Sequence, residues 1–136
     1  MRKLNSIIDI TLRVTGKNLN PSCVSQALSM EPDRQWKRGD TVVLHGNRRS
    51  SPKKSGLWAI SHKEIDINDI VGILESLAVS INKADPPLNK LVGWESTNIS
   101  INIGSRESEA SIEWILNADL MALLAAAKVN LVVLTY

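Results

Sequence analysis

Leu19-Asn20-Pro21, Met30-Glu31-Pro32, Arg34-Gln35-Trp36-Lys37-Arg38-Gly39-Asp40 and Gly56-Leu57-Trp58 follow one another in close order and set the pattern of elements. Asn20 is a good helix N-cap, and Pro21 suits the first helical position, where no backbone donor is needed. Val24, Ala27 and Leu28 then form the apolar stripe of a short helix that ends near Met30. Pro32 forbids its continuation. Arg34 to Trp36 reads as a short strand, Thr41 to Leu44 as another, and Leu57 to Ile60 as a third. Between His45 and Ser55 lies a polar, strongly basic stretch that reads as a mobile loop.

Upstream, Ile8, Ile10, Leu12 and Val14 alternate with Asp9, Thr11 and Arg13, the period-2 pattern of a strand with one buried face. Downstream, Asp66 or Asn68 caps a helix whose buried face is Ile70, Ile73, Leu74, Leu77 and Ile81. Asp85-Pro86-Pro87 ends it. Ile99, Ile101 and Ile103 mark a strand, and residues 104–109 a hairpin connection. Ile112, Trp114 and Leu116 mark the next strand. Asn117 caps a third helix, Ala118 to Lys128, and Leu131 to Tyr136 is a terminal strand. The expected fold is α+β: a mainly antiparallel sheet with about three helices on one face. From Leu57 onward the order is strand, helix, strand, strand, helix, strand, the ferredoxin-like βαββαβ order over the C-terminal two-thirds.

The 136 residues fit a single domain, 1–136, with 43% hydrophobic and 22% charged residues. No apolar run approaches the roughly 18 residues of a membrane span. Asp9, Thr11 and Arg13 break up the apolar residues behind the basic N-terminus, so a signal peptide is not expected. One cysteine cannot make an internal disulfide, and together these features point to the cytoplasm. The net charge of +2 hides an asymmetry. Residues 34–63 hold eight of the sixteen Lys and Arg residues but one acidic residue, Asp40. A one-sided field of this kind bears on partners and association rather than on fold.

The chemical inventory is thin. Cys23 sits in the first helix and reads as a small buried hydrophobe. The two histidines, His45 and His62, have no carboxylate at a suggestive spacing, and two His with one Cys do not make a metal site. No glycine-rich phosphate loop or nucleophile motif is present, so no enzyme activity and no cofactor are expected. Trp36, Trp58, Trp94 and Trp114 fall on or beside predicted strands. Core packing suits Trp58 and Trp114. Trp36 lies among Arg34, Lys37 and Arg38, a composition typical of interface hot spots.

The order Leu-Asn-Pro, Glu31-Pro32, Trp36-Lys37-Arg38-Gly39-Asp40 and Gly56-Leu57-Trp58 resembles a bacterial family known only as a domain of unknown function, number four-two-seven-nine. The resemblance spans nearly the full chain. It implies no activity and no catalytic residues. Small, cysteine-poor bacterial proteins of this type look like the immunity proteins of toxin systems, an analogy of type.

The leading expectation is therefore a cytoplasmic immunity protein that binds and blocks a cognate toxin domain, a nuclease among the candidates, as in contact-dependent growth inhibition. Two surfaces compete as the contact. One is the basic loop with Trp36, Lys37, Arg38, Arg48, Arg49, Lys53 and Lys54. The other is an acidic hairpin with Glu107, Glu109 and Glu113. A nucleic-acid or phosphate-ligand binding module is the second expectation, and a homo-oligomer paired through Leu131 to Tyr136 the third. No membrane partner is expected.

Overall fold

The computed structural model of the chain describes residues 6–105 and 117–135. The elements run β1 (Ser6–Gly16), α1 (Pro21–Leu28), β2 (Arg34–Trp36), β3 (Gly56–His62), α2 (Ile70–Asn82), β4 (Ser96–Ser105), α3 (Ala118–Ala126) and β5 (Asn130–Thr135). The five strands form one sheet in the order β2-β3-β1-β4-β5. Among the described strands, three pairings are antiparallel and that of β4 with β5 is parallel.

β1 forms because its side chains alternate between two environments. Ile8, Ile10, Leu12 and Val14 point to one side and are almost completely buried. Register places Leu12 between Ile60 and Ile99, and Val14 between Trp58 and Thr97. Ile101 stands beside Ile10. These inward residues share one core with Val24, Ala27 and Leu28 of α1, with Leu74, Leu77 and Ile81 of α2, and with Leu120 and Leu124 of α3. The three helices therefore cover the same face of the sheet, as the apolar periodicity predicts.

β3 and β4 are both antiparallel to β1 and so run parallel to each other, with α2 as the connection between them. That is a split βαβ unit. Its middle strand, β1, comes from the N-terminal part of the chain. The six-element ferredoxin-like order is thus met in part. The strand expected at 112–116 and the hairpin expected at 104–109 fall largely outside the described residues.

The caps of α1 and α3 agree with the sequence, whereas α2 begins after Asp69, which makes no side-chain cap bond, so neither Asp66 nor Asn68 caps that helix directly. The Asn20 side chain accepts a hydrogen bond from the Ser22 amide at 3.1 Å, with Pro21 at the first turn. The Asn117 side chain accepts from the Leu120 amide at 2.7 Å. Asp66 caps a short turn ahead of α2 by accepting from the Asn68 amide at 2.8 Å. The Asn82 side-chain amide ties α2 to α3, donating to the carbonyls of Ala78 and Leu123, each at 3.0 Å.

Trp58 is 0% exposed, and its indole N–H donates to the Ser25 hydroxyl on α1 at 3.0 Å. Burial of the ring and satisfaction of its one donor arise together. At the end of β1 the backbones pack closely. A Cβ on Gly16 would run into the carbonyl oxygen of Gly93, and one on Gly56 into that of Leu19. Gly93 itself has φ +83° and lies against Asn18. Trp58→Ala is expected to destabilise the fold by about 3–5 kcal/mol, and Trp58→Phe by less, since it keeps most of the packing. Gly16→Ala is expected to lower stability although it removes no contact. Urea unfolding of the three variants checks the order, and a neutral Gly16→Ala would show that this corner is not tightly packed.

Candidate interaction site

β2 and β3 are adjacent antiparallel strands, and residues 37–55 connect them as a long excursion from one end of the sheet. The turn at its foot is built by Gly39 and Asp40. Gly39 supplies φ +91°, a conformation that favours glycine. The Asp40 carboxylate accepts from the Lys37 amide at 2.8 Å, and the Asp40 amide donates back to the Lys37 carbonyl at 3.1 Å. The one acidic group of the segment is thus turned onto backbone rather than outward.

The excursion then closes on itself. The Gly39 amide donates to the Lys53 carbonyl at 2.7 Å, and the Lys53 amide to the Asp40 carbonyl at 2.8 Å. Farther out, the Ser50 amide donates to the Val42 carbonyl at 2.8 Å, while the Ser50 hydroxyl accepts from the Val42 amide at 3.0 Å. Val43 bridges Arg49, and the Leu44 amide donates to the Arg48 carbonyl. His45-Gly46-Asn47 makes the reversal, with positive φ at Gly46 and Asn47. The sequence predicts a mobile loop here. The structure shows an irregular hairpin held by its own hydrogen bonds, and Thr41 to Leu44 is one arm of it rather than a sheet strand.

The candidate residues take distinct places on this hairpin. Trp36 ends β2 and is half-buried, and the Lys53 ammonium lies 4.1 Å from the centroid of its ring. That cation–π contact draws the returning arm down over the sheet. Arg48 and Arg49 flank the outer reversal and are exposed, and one Arg49 guanidinium nitrogen donates to the Thr41 hydroxyl at 3.2 Å. Lys37, Arg38 and Lys54 are exposed nearer the base. Trp36, Lys37 and Asp40, with Pro21, Ser22 and Gln35, also line a depression of about 230 Å³ between the hairpin foot and the start of α1. The basic candidates therefore gather on one protrusion. Glu107, Glu109 and Glu113 lie outside the described residues.

Sequence reasoning missed two members of this surface. Val43 is 62% exposed and Leu44 47%. Their apolar run, Val42-Val43-Leu44, looks like a buried strand. The signal against a buried strand lies in the next residues: Gly46, Asn47 and two arginines offer no apolar partner to pair with. Elsewhere, Cys23 is half-buried, His45 is exposed in the reversal and His62 is half-buried on β3. Among the described residues, no group of three or more His, Cys, Asp or Glu side chains could hold a metal ion, and no helix is long and apolar enough to cross a membrane.

The family model for Domain of unknown function (DUF4279) matches residues 5–136, and the chain belongs to that family. No curated protein and no solved structure matches the chain.

Asp40→Ala removes the acceptor for the Lys37 amide and is expected to destabilise the chain by about 1 kcal/mol, with faster hydrogen exchange at Gly39 and Lys53. Changing Arg48 and Arg49 together to Ser is expected to shift stability by no more than about 0.5 kcal/mol. Hydrogen exchange and urea unfolding measure both. An Asp40→Ala chain with wild-type exchange at these amides would refute the hairpin architecture.

Proposed function

We propose that the chain is an immunity-type protein that binds a cognate protein toxin domain and blocks it, using the hairpin of residues 37–55 as its principal contact. One observation carries this reading: six basic residues stand on a protrusion closed by its own hydrogen bonds, with exposed Val43 and Leu44 near its outer end. An inhibitor of this kind needs no chemistry of its own. It needs a complementary surface that arrives quickly and occludes what lies beneath. Concentrated positive charge speeds encounter with an acidic patch and discriminates against basic ones. An ordered hairpin loses less conformational freedom on binding than a floppy loop of the same charge. Val43 and Leu44 supply the desolvated centre, and the arginines beside them supply the polar surround.

The self-association reading draws on a separate observation. Val132, Val133 and Leu134 of β5, at the end of the described sheet, are 38%, 46% and 49% exposed. Sedimentation at micromolar concentration separates it from the immunity reading, since a strict monomer removes it.

Co-expression tests the principal reading. The chain should protect cells from the variable C-terminal domain of a large secreted protein encoded beside it, and purified chain should bind that domain. With Arg48, Arg49 and Lys54 changed to Ser, association should slow by about tenfold or more at low salt and lose most of its salt dependence. Absence of both protection and binding would overturn the proposal. Wild-type association by the triple variant would remove the hairpin as the contact.

A further inference from the structure

The outward face of the sheet differs in kind from the face under the helices. Register puts Thr11, Arg13, Ala59, Ser61, Asn98 and Ser100 there, mostly small and polar; Thr11, Ala59 and Ser100 are buried, and Ser61 is half-buried. At its β2 end is a depression of about 710 Å³ lined by Asp33, Arg34, Ser61 and Lys63. Arg34 stands beside Ala59 in the β2–β3 pairing, and Ser61 comes two residues along the same face of β3. Asp33 is anchored twice. Its amide donates to the Ala59 carbonyl at 2.8 Å, and its carboxylate accepts from the Ser61 amide at 2.6 Å. The Ser61 hydroxyl is 3.0 Å from that of Thr11, so it too is positioned. Arg34 and Lys63 are exposed and carry the positive charge of the cavity.

We propose that this cavity binds a small phosphorylated sugar, with the phosphate held by Arg34 and Lys63 and the sugar hydroxyls by Asp33 and Ser61. A phosphate monoester carries nearly two negative charges and several acceptor oxygens. A guanidinium fork and an ammonium answer both needs. Asp33 repels a bare anion but accepts hydrogen bonds from hydroxyls, which sets the chemistry of the rest of the ligand. The depression is open to solvent and larger than an inorganic phosphate ion, which leaves room for the rest of the ligand. None of the hairpin residues Arg48, Arg49 and Lys54 lines it, so the inference stands apart from the proposed toxin contact.

The test is a titration of the full chain with ribose 5-phosphate, monitored by amide nuclear magnetic resonance. Ribose and inorganic phosphate serve as separate probes. The expected result is saturable shifts at Asp33, Arg34, Ser61 and Lys63, weaker ones with inorganic phosphate and none with ribose. Arg34→Ser with Lys63→Ser should weaken binding about tenfold or more, and Arg34→Lys, which keeps the charge but not the fork, by less. Arg48→Ser with Arg49→Ser should bind as the parent does. No saturable shift with ribose 5-phosphate at millimolar concentration would overturn the proposal. So would undiminished affinity in both Arg34 variants, or shifts confined to residues 37–55.

Discussion

Hydrogen bonding along both edges of β1 is the constraint on which the remaining elements depend. From Ile10 to Thr15 every residue of the strand is in register with β3 on one side and β4 on the other. Because side chains alternate strictly, that double registration decides which residues of both neighbours enter the core. A slip by one residue would put Asp9, Thr11 and Arg13 under the helices and Ile8, Ile10 and Leu12 outside. The helices then have one apolar surface to settle on, and α2 must cross from β3 to β4 over β1. Trp58 locks the arrangement at the α1 side, where its N–H meets Ser25.

Much of this was legible residue by residue. Asn20-Pro21 marked the start of α1, the isoleucines of β1 and β4 marked their inner faces, and Ile70, Leu74, Leu77 and Ile81 marked the face of α2. These are local signals, fixed by backbone sterics and by periods of two and 3.6 residues. Sheet order was not legible. Nothing in Ser6–Gly16 itself says that it will lie between β3 and β4, because pairing depends on partners far along the chain. The ferredoxin-like order from Leu57 onward does not say where the N-terminal strand inserts, and it is that strand, β1, that separates β3 from β4.

The basic residues were visible as a site, but their setting was not. A stretch rich in Gly, Ser, Pro and like charges reads as mobile because it has little to bury. Here backbone pairs and the Ser50 hydroxyl supply order without burial, and Lys53 takes up the indole face of Trp36. Arg34 and Lys63 illustrate the same difficulty. They belong to one cavity only because β2 and β3 pair, and their separation in sequence hides it. Core and surface are thus divided: the inward face of the sheet is committed to packing, while its β2 end and the hairpin beyond carry the charge.

The place of β1 in the sheet also bears on how the polypeptide emerges from the ribosome. The strand is synthesised well before one of its partners, β4, which begins only at Ser96. Until then an apolar strand with one open edge has no native neighbour on that side, the kind of surface that recruits chaperones or other nascent chains. The fold therefore has little scope to form in stages from the N-terminus. Its long-range β1–β4 closure favours slow, all-or-none acquisition of structure once β4 has been made. Transient protection of Ile8, Ile10 and Leu12 is part of what this topology asks of the cell.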